Sequence, residues 1–291
     1  MTQDPWLLRV LRHPFFQITR LNKPIGILLL LWPTLVALWI SGQGSPPLHL
    51  ELIFSLGVVL MRSAGCIIND WVDRAWDKEV ARTRHRPLTS GQLSEKTALL
   101  WFALLLGAAA SLLLALPCST WPWALGAVIC ATIYPFMKRY THLPQAVLGL
   151  AFAWGIPMTF VAQGSPLDQR VAMLMTAVLA WVMAYDTQYA MVDREDDLKV
   201  GIKSTAILFG VWDRWAIGFF QAVMLGILWH QGCVLGFGRF YNLALSGIGL
   251  LFFYQQALMR GRKPENCFQA FLNNQHVGLL WFLGVVFSQV P

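Results

Sequence analysis

Residues 51–77 read ELIFSLGVVLMRSAGCIINDWVDRAWD, an apolar run that ends in a cluster of acids. A helix needs about 20 mostly apolar residues to cross the roughly 30 Å of hydrocarbon in a bilayer, and this run is long enough. Arg62 is the only charged residue between Leu52 and Asn69. The run therefore predicts a membrane-spanning helix whose polar end carries the acids.

The composition of the whole chain is typical of a membrane protein. Of its 291 residues, 56% are hydrophobic and 13% are charged, and the mean hydropathy is +0.53, whereas soluble domains average about 25% charged residues. The formal net charge is +7, but the basic residues lie between apolar segments and form no surface for nucleic acid. We predict an all-α, multi-pass integral membrane protein with one domain, residues 1–291, embedded in a lipid bilayer.

Nine apolar runs are candidates for transmembrane helices, and the first and last are the shortest. They cover residues 25–41, 49–68, 97–116, 121–137, 144–163, 171–191, 214–232, 240–258 and 276–290. Residues 1–22 mix aromatic and aliphatic residues with arginines, which predicts an amphipathic segment in the membrane interface.

The basic residues predict the orientation of the bundle, because Lys and Arg are retained on the cytoplasmic side. Of the 22 basic residues, 19 fall in the N-terminal segment or in loops on one predicted side. The N-terminus and the two long polar loops, 70–96 and 192–213, are therefore predicted to be cytoplasmic. Nine crossings place the C-terminus in the periplasm.

The first acidic cluster, at 69–77, has a helical spacing. Asn69, Asp73 and Asp77 repeat at i, i+4 and i+8 and share one face if the helix continues. A single acidic helix end is most often a solvated terminus. Acids at membrane depth, however, usually face a polar cavity and pair with another group.

The second acidic cluster, at 193–197, has the same character. Asp193 and Asp197 share a helical face, and Asp186 and Tyr189 lie one or two turns earlier on it. Corresponding acids of the two clusters are 120 residues apart. This spacing predicts two related halves whose acids converge.

Oxygen ligands of this kind suit magnesium, which is usually bound through one or two carboxylates together with substrate phosphates. Two opposed acidic faces predict two or three magnesium ions with a diphosphate between them. An intramembrane cation transporter is the alternative from a different class. Transporters bind ions near the bilayer midplane, often at broken helices, whereas these acids lie at helix ends.

A diphosphate among carboxylates also needs cations, since the acids alone would repel it. Individually the nearby basic residues are ordinary cytoplasmic-side charges, but as a set they predict diphosphate binding. The set comprises Arg74, Lys138, Arg139, Lys199 and Lys203. Arg62 lies about two turns deeper than Asn69, where it either snorkels towards the helix end or meets a substrate carboxylate.

At these residues the chain resembles the UbiA superfamily of intramembrane prenyltransferases, whose signatures are NDxxDxxxD and a later DxxxD. Here they read NDWVDRAWD at 69–77 and DREDD at 193–197. Other segments are similar to the bacterial members that act on 4-hydroxybenzoate. These are RLNKPIG at 20–26, LLWPT at 30–34, RTRHRPLTSG at 82–91, YPFMKRYTHLPQ at 134–145, YDTQYAMVDREDD at 185–197 and GIKSTAILFG at 201–210.

The resemblance implies substrates, a cofactor and a location. The expected reaction moves a polyprenyl group from polyprenyl diphosphate to the ring carbon ortho to the hydroxyl of 4-hydroxybenzoate, in ubiquinone biosynthesis at the bacterial inner membrane. The expected cofactor is Mg²⁺. Its implied ligands are Asn69, Asp73, Asp77, Asp193 and Asp197, and the residues assigned to the diphosphate are Lys138, Arg139 and Lys203.

The catalytic residues are expected among Asp70, Asp73, Asp186 and Asp193, with Asp70 or Asp186 as the base that removes the ring proton. Aromatic faces attract cations, and several aromatic residues near the acids could stabilise an allylic cation or serve as interfacial belt residues. These are Trp71, Trp76, Tyr134, Tyr185 and Tyr189.

Two points stay open at the level of sequence. The acceptor could be another aromatic compound used within the superfamily, such as a naphthoate, homogentisate or a haem precursor. A prenyl tail is as apolar as lipid, so the tail could remain among acyl chains while its diphosphate meets magnesium at the membrane boundary.

Overall fold

The computed structural model describes residues 11–80 and 82–289, and within these residues it contains helices and turns but no strand. We number the α-helices in chain order. They are α1 Pro14–Ile18, α2 Ile25–Ser41, α3 Leu48–Asp73, α4 Glu95–Leu112, α5 Trp121–Tyr140, α6 Pro144–Ala153, α7 Gly155–Ala162, α8 Gln169–Val200, α9 Thr205–Phe209, α10 Asp213–Leu235, α11 Arg239–Leu258 and α12 Pro264–Gln289. Residues 1–10 of the predicted interfacial segment lie outside the described residues.

Six helical segments of the described chain are long and apolar enough to cross a membrane: 48–73, 95–115, 144–162, 169–200, 205–235 and 264–289. The all-helical membrane fold predicted from the sequence is confirmed by these segments. Three further predicted spans correspond to α2, which is a shorter apolar helix of 17 residues, and to α5 and α11, with 20 residues each.

Three predicted boundaries were wrong because helices continue into polar sequence. Helix α3 runs on to Asp73, and the predicted loop 192–213 is helical as far as Val200. The last helix begins at Pro264, so it has 26 residues and is not the short segment predicted from residue 276. Polar residues at these ends, such as Asn274, are paired inside the protein and therefore need no loop.

Helix α8 lies at the centre of the bundle and α4 at its lipid-facing rim. The most apolar window of α8 is 67% buried, compared with 6% for α4. Trp181 and Tyr185 of α8 are buried in the largest hydrophobic cluster, where Trp181 meets Trp281 of α12 edge-on. The central position of α8 fixes the second acidic cluster relative to its neighbours.

Local backbone chemistry sets where the cavity-lining helices break and end. Pro157 has no N–H to donate to the carbonyl of Ala153, and the predicted span 144–163 is accordingly split into α6 and α7. Gly201 ends α8 with a left-handed φ of 74°, which glycine adopts without strain, and Ile202 N then donates to the Asp197 carbonyl. This cap ends α8 directly after its acidic cluster.

Candidate active site

A cavity of about 1280 Å³ opens between the helices, with both acidic clusters at one end and apolar side chains at the other. Its walls come from α2, α3, α4, α5, α6, α8 and α12 and from the loop that follows α3. The predicted site residues that line it are Arg62, Asn69, Asp70, Asp73, Asp77, Tyr134, Lys138, Tyr185, Asp186, Tyr189, Asp193, Asp197 and Lys203.

The acids of the first cluster are buried and held by cations. Lys138 Nζ lies 3.0 Å from Asp73 Oδ2, and Arg86 bridges Asp70 and Asp77 at 2.9 and 2.7 Å. Asp70 also accepts two hydrogen bonds from Arg20, at 2.9 and 2.8 Å. The other oxygen of Asp73, Oδ1, is buried without a partner. One carboxylate oxygen is thus available for a ligand that enters the cavity.

Helix α3 ends at Asp73, but its last turn is extended by one hydrogen bond. Asp77 N donates to the Asp73 carbonyl at 2.9 Å, and Thr83 Oγ1 donates to the Asp77 carbonyl at the same distance. The loop then folds back towards the cavity, with Val80 and Leu88 buried. The predicted common face of Asn69, Asp73 and Asp77 is therefore retained at the cavity wall, although Asp77 lies beyond the helix.

The second acidic cluster is linked to the first by an arginine. Arg82 donates to both oxygens of Asp193, at 2.9 and 2.5 Å, and its guanidinium lies 4.7 Å from the Tyr189 ring centroid. Lys203 N donates to the Lys138 carbonyl at 3.1 Å, which joins the segment after α8 to the end of α5. The two clusters, distant in sequence, are thereby held at one cavity mouth.

The charged side chains at the cavity mouth shift one another's pKa values. Burial and the carboxylates of Asp70 and Asp73 raise the pKa of Asp77 above its ordinary value, although Arg86 opposes them. Burial alone would lower the pKa of Arg86, but Asp70 and Asp77 beside it raise that pKa. The charged form of Asp77 is therefore disfavoured at this buried position, and an additional cation beside it would stabilise that form.

A second polar group lies deeper in the cavity, around Arg62. Its Nε is buried without a partner and its guanidinium carbon lies 5.7 Å from the Phe152 ring centroid. The Tyr185 hydroxyl is also buried without a partner, and Asp186 lines the same cavity. Buried polar atoms without partners are rare in proteins, so this region is suited to a polar ligand.

Three predicted diphosphate residues lie outside the cavity. Arg74 pairs with Glu95 at 3.0 Å and stacks on Trp71, and Arg139 donates to the Val72 carbonyl at 3.1 Å and stacks on Trp76. Lys199 is exposed and pairs with Asp196. These contacts fix the ends of α3, α5 and α8, and the direct role of these residues in diphosphate binding stays a prediction.

Arg20, Arg82 and Arg86 were not predicted as site residues, yet all three contact acids at the cavity mouth. From the sequence, Arg82 and Arg86 were interpreted only as cytoplasmic-side charges, and Arg20 as an alternative partner for the acceptor carboxylate. Three of the five residues 82–86 are arginines, which is dense for a loop and was the available indication.

The oxygen-rich end of the cavity fits magnesium in part. Among the residues that the structure describes, no three His, Cys, Asp or Glu side chains form a group that could hold a metal ion by themselves. Magnesium, however, usually takes only one or two protein carboxylates and completes its coordination with water and substrate phosphates. The unpartnered Oδ1 of Asp73 is an atom of the required kind.

These features define a class of protein: an integral membrane enzyme that takes an anionic head group at the polar end of an intramembrane cavity. The chain belongs to the UbiA prenyltransferase family, whose model matches residues 30–283. It is 51% identical over 288 residues, covering 99% of this chain and 97% of the relative, to a 4-hydroxybenzoate octaprenyltransferase of Sodalis glossinidius. It is also 51% identical to one of Hahella chejuensis, covering 94% of this chain and 91% of that relative.

Solved structures show the same fold. A UbiA homolog from Aeropyrum pernix K1 superposes with a TM-score of 0.79 at 20% identity, covering 90% of this chain and 98% of the homolog. A UbiA homolog from Archaeoglobus fulgidus, bound to DMAPP and Mg²⁺, superposes with a TM-score of 0.73 at 17% identity, covering 94% and 98% of the respective chains.

Proposed function

We propose that this protein transfers a polyprenyl group from polyprenyl diphosphate to the ring carbon ortho to the hydroxyl of 4-hydroxybenzoate, in ubiquinone biosynthesis. The observation that carries the proposal is the meeting of two acidic clusters and several cations at the mouth of one largely apolar cavity. Relatives that share half of the residues over nearly the whole chain are named 4-hydroxybenzoate octaprenyltransferases.

Magnesium is the proposed cofactor, and it would neutralise the charge that develops on the diphosphate as the allylic C–O bond breaks. The residues that would hold it are Asn69, Asp73, Asp77, Asp193 and Asp197. Their oxygen chemistry and the free Oδ1 of Asp73 support this assignment. So does the A. fulgidus homolog, whose structure contains Mg²⁺ together with a prenyl diphosphate.

The cations that now pair with these acids are the proposed partners of the diphosphate. Lys138, Arg82 and Arg86 each contact a carboxylate at the cavity mouth, and Lys203 lies beside them. Once the acids bind metal, these side chains can turn to phosphate oxygens, with which Lys and Arg form strong charge-assisted hydrogen bonds. Arg74, Arg139 and Lys199 are not part of this proposal.

The acceptor is proposed to bind around Arg62, whose guanidinium would pair with the carboxylate of 4-hydroxybenzoate. Asp186 is the better candidate for the base, because both oxygens of Asp70 are already engaged by Arg20 and Arg86. Asp186 lines the cavity close enough to Arg62 for their charges to interact. Tyr134, Tyr185 and Tyr189 also line the cavity and offer aromatic faces to an allylic cation.

We further propose one membrane domain over residues 1–291 that crosses the bacterial inner membrane nine times. The described helices α2, α5 and α11 supply the three crossings beyond the six most apolar segments. The N-terminus and both acidic clusters would then be cytoplasmic and the C-terminus periplasmic.

The reaction is tested with purified protein, octaprenyl diphosphate, magnesium and a mixture of 4-hydroxybenzoate and other aromatic acceptors. We expect prenylated 4-hydroxybenzoate as the main product and none after magnesium is chelated. If another acceptor is prenylated in preference to 4-hydroxybenzoate, the protein belongs to a different functional branch of the family. Absence of any diphosphate consumption would favour the cation transporter.

A further inference from the structure

The apolar end of the cavity extends far beyond the acids and has the shape of a passage for a chain. Cavity-lining residues of α3 run from Ile53 to Asp73, which at 1.5 Å per residue is roughly 30 Å along the helix. This is about the thickness of the hydrocarbon core of a bilayer. We call the part of the cavity between α3, α4 and α5, from residue 53 to residue 61 of α3, the tail channel.

We propose that the tail channel holds the polyprenyl tail inside the protein and that Gly57 determines how long a tail can be accepted. The inference rests on the proposed function and names the position of that substrate's tail. It differs from the expectation that the tail stays among lipid acyl chains from its first units onward.

The walls of the tail channel are apolar and combine large side chains with several small ones. On α3 the channel residues from Ile53 to Met61 carry no charge, and on α4 the wall includes Ala109 and Ala110. On α5 it includes Ala124 and Ala127. An uncharged wall offers nothing to a diphosphate or a carboxylate, so its occupant must be a hydrocarbon chain.

Two glycines of α3 line the cavity, Gly57 within the tail channel and Gly65 between the channel and the acids. A Cβ atom at Gly65 would meet nothing within 4 Å, and a Cβ atom at Gly57 would meet only Leu112 Cδ1, at 3.9 Å. Glycine in a helix interior reduces helix stability relative to alanine. Glycine at both positions leaves open a space that any larger side chain would occupy.

The depth of Gly57 predicts which tails it affects. Gly65 and Gly57 lie 8 and 16 residues before Asp73, or roughly 12 and 24 Å along α3. An extended isoprene unit has four chain carbons joined by bonds of about 1.5 Å and spans roughly 5 Å. Gly57 is therefore beside about the fifth unit, beyond the end of a geranylgeranyl tail and within the length of an octaprenyl tail.

The test is a competition between geranylgeranyl and octaprenyl diphosphate, with 4-hydroxybenzoate as acceptor and full-length protein in lipid vesicles. For Gly57→Leu we expect the octaprenyl-to-geranylgeranyl product ratio to fall at least tenfold, with kcat/KM for geranylgeranyl diphosphate close to wild type. Gly57→Ala, whose Cβ needs no rearrangement, should shift the ratio less but in the same direction. Gly65→Leu should reduce transfer of both tails.

Gly107→Leu is the matched control, because Gly107 lies in α4, does not line the cavity and has open space at its Cβ position. It should leave the ratio unchanged. An unchanged ratio in both Gly57 variants, or an equal loss with both tails, would overturn the proposal. If the wild-type protein transfers neither tail to 4-hydroxybenzoate, it is the proposed function that fails.

Discussion

At the scale of single residues, Arg62 is the clearest test of the acceptor site. Its Nε is buried in the cavity wall without a hydrogen-bond partner, so this donor is available to a ligand. A hydrogen bond to a charged group contributes about 1.5 to 3 kcal/mol. Arg62→Leu should therefore raise the Michaelis constant for 4-hydroxybenzoate by roughly one to two orders of magnitude and leave that for the prenyl diphosphate little changed. The opposite pattern would assign Arg62 to the diphosphate.

Gly26 gives an independent test of the same guanidinium. A Cβ atom at Gly26 would lie 2.6 Å from Arg62 Nε, so an alanine there must displace the flexible end of that side chain. We expect Gly26→Ala to weaken acceptor use in the same direction as Arg62→Leu, without loss of thermal stability. Gly107→Ala, at a site with open space, is the control. Normal acceptor kinetics in Gly26→Ala would show that the position of Arg62 is unimportant.

Asp73 and Asp193 test the two acidic clusters together. Each residue lines the cavity and pairs with a cation, Lys138 or Arg82 respectively. Asn keeps the side-chain size but removes the charge that favours magnesium, so Asp73→Asn and Asp193→Asn should each abolish turnover in a folded, membrane-inserted protein. Asp168→Asn, which breaks an ion pair with Arg170 outside the cavity, should remain active. Near-normal activity of either cluster variant at saturating magnesium would contradict the two-cluster site.

At the scale of helices, Asp213 fixes the end of α8 from the side opposite the cavity. Its carboxylate is fully buried and accepts hydrogen bonds from Arg194, within the second cluster, and from Arg262 in the loop before α12. Asp213→Asn should lower the free energy of unfolding by up to about 3 kcal/mol, since both guanidinium groups are partly exposed and the full cost of breaking a buried pair is reduced.

The same substitution should affect function selectively. If Asp213 sets the rotation of the last turns of α8, Asp213→Asn should raise the magnesium concentration needed for half-maximal rate several-fold and leave the Michaelis constant for 4-hydroxybenzoate unchanged. Asp168→Asn, at the other end of α8, is again the control. A loss of stability with no change in the magnesium requirement would reduce Asp213 to a purely structural role.

Features within one helix could be predicted from the sequence, whereas contacts between distant helices and loops could not. The helical spacing of Asn69, Asp73 and Asp77 and the apolar runs could be seen in the sequence, because periodicity within one helix is local. The contact between Arg82 and Asp193 joins residues 111 apart through an irregular loop, and no local pattern specifies such a fold. For the same reason Arg74 and Arg139 were predicted near the diphosphate, although their contacts hold helix ends together.

At the scale of the whole molecule, the distribution of polar groups predicts a direction across the membrane. Both acidic clusters and their cations lie at one end of the bundle, and most of the 22 Lys and Arg residues fall in segments at that end. In the proposed orientation, a diphosphate made in the cytoplasm would meet this end first, and its tail would then lie along α3 towards the other face. The orientation of the bundle is therefore part of the proposed reaction.

Reporter fusions test this orientation. Fusions within 82–94 and 201–204, the irregular segments after α3 and α8, should report the cytoplasm, because the basic residues around them resist translocation. A fusion after the C-terminus should report the periplasm, since α12 is a 26-residue helix long enough to cross. A cytoplasmic C-terminus would mean an even number of crossings. The proposed spans α5 and α11 would then be the first to reconsider, because each has the length of a span but not its hydropathy, whereas α12 has both.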